Sequence, residues 1–329
     1  MAEQSWAERM REDWDRRARE NAQYYVESSR DDWTPEEFYR SGVESVKALV
    51  LDDAERLFGG RDPKTLTMLE IGCGVGRMTR AFADAFGEVH GVDVSGEMVR
   101  QAREALADRA NAYVHQGSGS DLDVLGEREF DFAFSFIVFQ HIPDITAIER
   151  YVSDVTRMLK PGGVFKFQVQ GGWRSPREKR DTWLGCSISA QQILEWFRRF
   201  GLQLFHFDGL GSQYFWIWAR KPSQLASQTP AATHELENRA AEASVLEQEL
   251  GEKTRWIEML RKDLAQKEEL GEHLERLNDE LEDRTAWANE LDKTLASYTK
   301  HLQQIYGSPA YRIGRRLGLA PQPYKSDQD

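Results

Sequence analysis

The sequence has 329 residues, of which 40% are hydrophobic and 30% are charged, and its formal net charge is −12. Its length suits one α/β domain with a further segment, and its acidity argues against a dedicated nucleic-acid-binding protein, which would present a basic face. The two cysteines, Cys73 and Cys186, form no C-x-x-C pair, which excludes a disulfide framework and a cysteine-rich zinc site, and we expect no metal centre.

Residues 1–58 form the first predicted segment, which is helical. Thr34 is the expected N-cap of a helix that begins at Pro35, and Glu37 completes a capping box. Aromatic residues stand at helical spacing and are expected to pack this segment onto the next domain: Trp14, Tyr24, Tyr25, Trp33 and Phe38. Charges throughout residues 1–30 argue against a signal peptide, and no apolar run reaches membrane-spanning length, so we expect a cytoplasmic protein.

A glycine-rich turn in the stretch Met68–Gly76 joins a predicted buried strand to a predicted helix, with the pattern G-x-G-x-G. Glycine there lets the backbone approach a ligand, and the N–H groups of the helix start face that ligand. Glu70 stands just before the glycines, and the next strand ends in Asp93, whose carboxylate can accept both hydroxyls of a ribose. Ser95 is the better N-cap for the following helix, which leaves Asp93 free for the ribose.

Strands and helices then alternate as far as residue 222. The strands are predicted near 66–71, 88–93, 112–116, 130–136, 163–170, 203–208 and 213–220, and the helices near 77–86, 96–107, 146–158 and 189–199. This alternation predicts a mostly parallel sheet with helices on both faces, and the last two strands predict an antiparallel hairpin at its edge. Ligands of such sheets bind beyond the carboxyl ends of the strands.

Four ordered motifs resemble those of the class I S-adenosylmethionine-dependent methyltransferases: Met68–Gly76, Asp93, Phe130–Pro143 and Leu159–Gly163. The resemblance covers about residues 43–221 and leaves two alternatives, a nicotinamide-binding domain and a glycine turn without a ligand. It implies an α/β fold with a Rossmann-like seven-stranded sheet, and S-adenosylmethionine as cofactor. The residues expected to bind the cofactor are Glu70, Gly72, Cys73, Gly74, Gly76, Asp93, Val94, Met98, Ser118, Gly119 and Phe136.

The chain departs from the family pattern after the third strand, where Ser118 stands in place of a common aspartate. Recognition of the adenine amino group is then left to the backbone near Ser118 and Gly119, or to Asp121. The family also suggests a second role for the N-terminal segment, which often closes over cofactor and substrate. In that role Tyr24 and Tyr25 would attract a sulfonium cation, with Ser41 as a further candidate; the alternative is simple packing.

The fourth strand and the segment after it raise the question of catalysis. Asp131 opens that strand and is expected to be structural, while His141 lies beyond its carboxyl end. Because histidine titrates near neutral pH, His141 is a candidate base for a substrate hydroxyl; the alternative is that it caps or packs a helix. The Lys160–Gly163 segment is expected to be a structural turn before the fifth strand.

The C-terminal part of the chain has a different composition. Residues 223–232 are a predicted linker, and from 233 to 305 apolar residues recur every three or four positions, with one phase slip after Lys267. This heptad pattern predicts a long helix whose apolar seam needs a partner, so we expect a coiled-coil homo-oligomer. The alternative is a solvated single helix.

The last predicted segment, 306–329, is a basic and aromatic tail. It suits a peripheral contact with anionic lipid through 306–325, a partner-binding peptide, or a disordered tail. It also looks like the tails that follow coiled coils in bacterial surface-polysaccharide enzymes. Elsewhere in the chain, Trp173 lies in an arginine-containing loop suited to a sugar or phosphorylated acceptor; the alternative is an ordinary charged loop.

These features lead to an expected function and an expected division of the chain. We expect O-methylation of a saccharide or glycolipid intermediate at the inner membrane face. The alternatives are a small-molecule or lipid acceptor, and a coiled-coil scaffold whose domain binds the cofactor without catalysis. The predicted division is a helical segment at 1–58, a methyltransferase domain at 59–222, the linker at 223–232, the coiled coil at 233–305 and the tail at 306–329.

Overall fold

The computed structural model describes residues 5–172, 181–223, 231–241, 253 and 284–294. Within them seven strands form one sheet, in the order β3-β2-β1-β4-β5-β7-β6. The strands are β1 (Thr67–Ile71), β2 (Glu88–Asp93), β3 (Ala112–Gln116), β4 (Phe130–Ser135), β5 (Leu159–Val169), β6 (Gln203–Asp208) and β7 (Phe215–Arg220). The helices are α1 (Trp6–Val26), α2 (Pro35–Leu49), α3 (Ala54–Phe58), α4 (Arg77–Ala85), α5 (Gly96–Ala105), α6 (Ile145–Met158), α7 (Ala190–Phe200) and α8 (231–241).

The first five strands pair in parallel, and β7 runs antiparallel to both β5 and β6. This confirms the predicted mostly parallel sheet and the antiparallel hairpin at its edge. The strand order reverses beside β1, which has β2 on one side and β4 on the other. The carboxyl ends of these three strands therefore surround the crevice in which ligands of open α/β sheets bind.

Two apolar layers cover the sheet, one on each face. In β4, Phe132 and Phe134 pack against buried residues of α2 and α4, whereas Ala133 packs with the layer formed by α6 and α7. The same alternation occurs in β5, where Phe165 and Phe167 face the second layer. Because successive side chains of a strand point to opposite faces, these two strands are buried on both sides and position their carboxyl ends rigidly.

The structure differs from the prediction at Lys160–Gly163, which belongs to β5 rather than to a turn before it. Phe130 pairs with Leu159 but Phe132 pairs with Val164, so β5 accommodates extra residues opposite β4. Gly162 adopts a φ of +80°, which favours glycine at this irregularity. The irregularity brings the Lys160 side chain back to the start of β4.

Asp131 is structural, as expected, and ties three segments together at the amino ends of the strands. It accepts hydrogen bonds from Lys160 Nζ (2.7 Å), Arg61 Nη1 (2.9 Å) and the Thr67 backbone N–H (3.2 Å). Although burial opposes ionisation, these three donors hold the pKa of Asp131 below its ordinary value. The ionised carboxylate is therefore part of the folded state.

Helix α8 begins inside the predicted linker and packs onto the domain. Leu236 is fully buried in the layer that also contains α7, and the Thr233 hydroxyl donates a hydrogen bond to the Leu204 carbonyl (3.3 Å). Residues 1–241 accordingly form one compact unit. Leu236, the first apolar residue of the predicted heptads, is thus already covered by the domain.

Residues 242–329 form a second compact unit, in which residue 253 and the helix 284–294 are described. The tail 306–329, most of the predicted coiled coil and Trp173 lie outside the described residues, so the predictions for them stay predictions. Among the helices that the structure describes, none has the length and apolarity needed to cross a membrane.

We predict that Asp131→Asn lowers the free energy of unfolding by about 2 kcal/mol at pH 7, because the nearly buried carboxylate loses its charge-assisted hydrogen bonds to Arg61 and Lys160, whose own side chains are partly exposed. Urea denaturation measures this loss. It should shrink as the pH falls below the ordinary carboxyl pKa of about 4 and through the lower pKa that Asp131 has in the folded protein, since protonation of Asp131 then removes the same stabilisation from the wild type.

The matched control for this experiment is Asp52→Asn. Asp52 accepts a hydrogen bond from Lys47 Nζ at 2.6 Å, but both side chains are exposed. We expect this variant to lose less than about 1 kcal/mol. Equal losses in the two variants would contradict the structural role of Asp131.

Candidate functional site

A cavity lies at the carboxyl ends of β1, β2 and β4. Most of the predicted site residues line it: Glu70, Gly72, Cys73, Gly74, Asp93, Val94, Met98, Gly119, Phe136 and His141. Gly76 and Ser118 are not among the lining residues. The cavity is closed from above by residues of α1, so segments far apart in the sequence build a single site.

The glycine turn forms the floor of this cavity, and its glycines are required by space as well as by conformation. Gly72 has a φ of +74°, and a Cβ atom on it would lie 2.2 Å from a Val138 methyl carbon. Gly74 has a φ of +52°, and its Cβ would lie 2.8 Å from Val26. Gly76 acts differently, since it is the N-cap residue of α4. A side chain at Gly72 or Gly74 would therefore collide with Val138 or Val26, two residues of the cavity wall.

Asp93 links the end of β2 to the glycine turn. One carboxylate oxygen accepts the Gly74 N–H (3.0 Å) and the other accepts the Ser95 N–H (2.9 Å). Ser95 does cap α5, as predicted, through a hydrogen bond from the Met98 N–H (3.1 Å). The sequence suggested that Asp93 is free for the ribose, but both of its carboxylate oxygens accept backbone hydrogen bonds. Each oxygen nevertheless keeps a further lone pair for a ligand hydroxyl. Burial raises the pKa of Asp93 to about 6.

Glu70 is a second acid of the cavity and is only 5% exposed. It accepts a hydrogen bond from the Thr79 hydroxyl at 2.6 Å. Burial raises the pKa of Glu70 to about 7, although the Thr79 hydroxyl and the positive charge of Arg77 act in the opposite direction. Near neutral pH this carboxyl is therefore ready to ionise when a cation binds beside it.

Ile137, directly after β4, lines the cavity in a strained conformation with a φ of +54°. A β-branched residue pays a steric penalty in this left-handed region, so surrounding contacts must hold it there. The fully buried Gln168 does so by accepting the Ile137 N–H (3.0 Å). Its amide nitrogen donates to Gln140 Oε1 (3.1 Å) and to the Gln213 carbonyl (2.6 Å), which fixes the amide.

His141 is oriented by a backbone carbonyl. Its Nδ1 lies 2.5 Å from the Trp183 carbonyl oxygen, which can only accept, so Nδ1 carries the proton. Nε2 is then the basic nitrogen, and it lies 3.4 Å from the Gln140 amide nitrogen. The imidazole packs against the rings of Trp14 (5.4 Å between centroids) and Trp183 (5.1 Å). His141 is thus a nearly buried residue of the cavity wall whose Nε2 is the nitrogen able to accept a hydrogen.

Helix α1 covers the cavity because its polar side chains bind two other segments. Asp15 accepts hydrogen bonds from the Ser95 hydroxyl (2.6 Å) and the Glu97 N–H (3.1 Å) at the start of α5. Arg17 donates to the Thr182 carbonyl (3.2 Å) and hydroxyl (3.1 Å) in the loop before α7. The helix contributes four residues to the cavity wall: Met10, Trp14, Tyr25 and Val26.

The three lid candidates have different positions. Tyr25 lines the cavity, whereas Tyr24 contacts the Tyr25 ring edge-on, with 5.2 Å between the centroids. Ser41 accepts a hydrogen bond from Arg77 Nη1 (3.2 Å). Tyr25 thus packs against a neighbouring aromatic ring, as expected, and also covers part of the cavity.

The loop after β3 is arranged by Ser118. Its hydroxyl oxygen accepts the N–H groups of Ser120 and Asp121, both at 3.1 Å, which forms a compact turn. Gly119 therefore reaches the cavity and the Ser118 side chain does not. No group of three or more His, Cys, Asp or Glu residues in the described part of the chain could hold a metal ion.

Sequence reasoning missed several lining residues, among them Met10, Val26, Arg77, Ile137 and Tyr151. Ile137 and Arg77 carried an available signal, since they directly follow predicted motifs. Met10, Val26 and Tyr151 reach the cavity through helices packed from a distance, and no local pattern distinguishes them from ordinary core residues.

Part of the chain is similar in sequence to known methyltransferases. Residues 68–163 match the family model of a methyltransferase domain. Phosphoethanolamine N-methyltransferase 2 of Caenorhabditis elegans is 36% identical over 121 residues, which are 36% of this chain and 27% of that protein. A ubiquinone biosynthesis O-methyltransferase of Hydrogenovibrio crunogenus is 30% identical over 130 residues, which are 39% of this chain and 50% of that protein.

A third relative is the dTDP-3-amino-3,4,6-trideoxy-alpha-D-glucopyranose N,N-dimethyltransferase of Streptomyces venezuelae, 27% identical over 46% of this chain and 60% of that protein. The matches thus span between 27% and 60% of these relatives' lengths. The crystal structure of magnesium protoporphyrin IX methyltransferase from Synechocystis aligns over 67% of this chain and 99% of that chain, with a TM-score of 0.48 and 18% identity.

We predict that Glu70→Gln reduces the pH dependence of stability. An acid whose pKa is raised on folding binds its proton more tightly in the folded state, so its contribution to stability falls as the pH rises from about 4.5 to about 7. Glutamine keeps an oxygen for Thr79 and does not titrate. Relative to the wild type, the variant should gain up to about 3 kcal/mol between pH 5 and pH 8.

Thermal unfolding at several pH values measures this difference, and Glu44→Gln, a change at an exposed position of α2, is the matched control. The control should follow the wild type at every pH. If Glu70→Gln also follows it, Glu70 is not protonated in the folded protein near neutral pH.

Proposed function

We propose that this chain is an S-adenosylmethionine-dependent methyltransferase whose cofactor binds in the cavity above the glycine turn. The observation that carries the proposal is the cavity itself, whose floor is the glycine turn and which has the Asp93 carboxylate beside that turn at the end of β2. Asp93 would hold the ribose hydroxyls, and Val94, Met98 and Gly119 would enclose the adenine. When bound, the cofactor supplies an electrophilic methyl group on a positively charged sulfur.

The residues around this position hold and shield the reactants. The cavity surface formed by Phe136, Ile137 and Val138 is apolar, and Trp14 and Val26 close it from the α1 side. Such walls exclude water and align an acceptor with the methyl group, and alignment supplies much of the catalysis in a displacement of this kind.

His141 is the proposed general base. Its Nε2 takes the proton of an acceptor hydroxyl, which leaves an oxygen able to attack. The Trp183 carbonyl accepts from Nδ1 and thereby stabilises the protonated ring. Asp93 and Glu70 contribute negative charge to the same cavity, where a cationic cofactor is bound.

The acceptor that we propose first is a saccharide or glycolipid intermediate, methylated on oxygen. The Trp14 indole, which lines the cavity next to His141, suits the apolar face of a sugar ring. The name of the Streptomyces venezuelae relative, which refers to an amino sugar, supports the same class. A small apolar acceptor such as a phenol is the second candidate, because the wall beside His141 is mainly apolar.

We also propose that the chain forms a homo-oligomer through a coiled coil at the inner membrane face. Since Leu236 packs onto the domain, the seam between protomers begins after residue 241. Sedimentation analysis of the full chain tests the oligomer, and binding to anionic liposomes at low salt tests the membrane contact of the tail. A protein that binds the cofactor but methylates no acceptor would favour the scaffold alternative.

We predict that Asp93→Ala weakens binding of S-adenosylhomocysteine at least about tenfold, because two charge-assisted hydrogen bonds to the ribose disappear with the carboxylate. Calorimetric titration of the full chain measures the affinity. Asp52→Ala, a change at an exposed position of the same domain, is the control and should bind like the wild type. Unchanged affinity in Asp93→Ala would contradict the cofactor assignment.

We predict that His141→Asn separates binding from transfer. Asparagine keeps an N–H donor for the Trp183 carbonyl but lacks a basic nitrogen, so the cofactor should bind within about threefold of the wild type while transfer falls about 100-fold. Transfer of a labelled methyl group to a panel of glycosides and phenols measures the rate. An unchanged rate would show that His141 removes no proton.

A further inference from the structure

Two buried glutamine side chains lie behind the segment that follows β4. Gln168 on β5 is 0% exposed and Gln140, next to His141 in the chain, is 6% exposed. Neither side chain lines the cavity, and the proposed mechanism gives neither of them a role. Because a buried amide is costly unless its oxygen and its nitrogen are both hydrogen-bonded, the partners of these two groups show which way each amide is turned.

A backbone N–H fixes the orientation of the first amide. The Ile137 N–H can only donate, so the Gln168 atom that it meets at 3.0 Å is the oxygen Oε1. The Gln168 amide nitrogen must then donate, and it does so to the Gln213 carbonyl (2.6 Å) and to Gln140 Oε1 (3.1 Å). The second amide is therefore turned with its oxygen toward Gln168, which leaves its nitrogen to donate elsewhere.

The Gln140 amide nitrogen faces His141 Nε2 at 3.4 Å. Since an amide N–H group only donates, this ring nitrogen must be the acceptor and carries no proton. The other ring nitrogen, Nδ1, donates to the Trp183 carbonyl, which requires the same tautomer. The four hydrogen bonds from the Ile137 N–H to the Trp183 carbonyl, which we call the amide relay, therefore have one direction from end to end.

The amide relay fits a neutral imidazole and opposes a charged one. An imidazolium carries a hydrogen on both nitrogens, so its Nε2–H would face the Gln140 N–H group, donor against donor. Turning the Gln140 amide over would remove that conflict but would set its nitrogen against the Gln168 nitrogen, whose orientation Ile137 fixes. Because a hydrogen bond to the neutral form of a group disfavours the charged form, the relay opposes protonation of His141.

Other titratable groups surround the same part of the cavity and have both signs of charge. Arg17 and Tyr25 belong to α1, Asp181 to the loop before α7 and Tyr151 to α6, and Glu70, Asp93 and Arg77 line the cavity from β1, β2 and α4. All of them are the same in the wild type and in a variant of the relay. A comparison between these two proteins therefore isolates the effect of the amides.

We infer that Gln140 and Gln168 are positioning residues, which hold His141 neutral with its lone pair on Nε2 until an acceptor hydroxyl replaces the Gln140 N–H at that atom. The part played in methyl transfer rests on the proposed function, whereas the arrangement of the relay does not. At 3.4 Å the bond to Nε2 is the longest of the four, so it is the one that a hydroxyl donor displaces most easily.

The relay then acts at two points of the reaction. Before transfer it keeps the base uncharged, so that Nε2 can take the hydroxyl proton while an oxygen lone pair forms the bond to the methyl carbon and the carbon–sulfur bond breaks. After transfer the ring carries that proton next to the Gln140 N–H group, and this contact favours its loss. The base therefore returns to the neutral state in which the next reaction starts.

Nitrogen NMR of the full chain with ¹⁵N-labelled histidine tests the arrangement, with the His141 signals identified by their absence in His141→Asn. Gln140→Met removes the donor and should raise the midpoint of the His141 titration by at least about half a pH unit. Gln140→Glu offers an acceptor to Nε2–H and should raise it by at least about one unit. Gln168→Met frees the Gln140 amide to turn and should act in the same direction.

The matched control is Gln191→Glu, at an exposed position of α7, which should leave the midpoint of the His141 titration unchanged. Unchanged or lowered midpoints in the two Gln140 variants would overturn the inference. The pH dependence of methyl transfer tests the role in the reaction. Gln140→Met should lose more activity at pH 6 than at pH 8.5, since a charged ring takes no proton. An equal loss at both pH values would indicate a packing role only and would also overturn the inference.

A measurement on the wild type covers the case in which the relay variants do not fold. At pH 7 the His141 ring should be neutral with its proton on Nδ1, and a charged ring or a proton on Nε2 would overturn the inference. A wild type that shows the expected ring signals but binds no S-adenosylhomocysteine would instead overturn the proposed function. The role of the relay in transfer would fall with it, while its hydrogen-bond arrangement would stand.

Discussion

The hydrogen bond between the Gly74 N–H and the Asp93 carboxylate is the contact on which the site depends. It joins the turn after β1 to the end of β2, and the N–H groups of Gly72 and Cys73 reinforce the junction by donating to the Val92 carbonyl. The glycines can follow this path only because they carry no Cβ atom. The turn is thus shaped before any ligand binds, and α4 starts from a fixed position at the edge of the cavity.

A second constraint acts on the opposite side of the cavity, where Ile137 is held at a positive φ. One buried amide, that of Gln168, stabilises this strained residue and also orients Gln140 beside His141. The strain and the proposed base are therefore connected through a single side chain on β5. Because β5 is buried on both faces, this support is stiff, and small shifts of the segment after β4 are resisted.

Local sequence signals predicted the fold well, because each depends on neighbouring residues. The capping boxes, the Ser95 cap and the glycine turn belong to this class, and the strand alternation fixed the sheet. The contacts that the sequence did not predict join segments that are far apart in the chain. Ser95 and Asp15 are 80 residues apart, and Arg17 and Thr182 are 165 apart, so no spacing rule could associate them. Leu236 shows the same limit, since its heptad position says nothing about whether a domain or a partner helix covers it.

The charges of the cavity distinguish between the two cofactor classes that the glycine turn alone allows. Burial raises the pKa of both Glu70 and Asp93, so each carboxyl is more costly to ionise in the empty domain than in water. A cationic ligand beside Glu70 relieves that cost, whereas Asp93 suits the ribose of either class. A dinucleotide would bring a pyrophosphate to the glycine turn, next to Glu70. Electrostatics at Glu70 therefore favours the cationic cofactor.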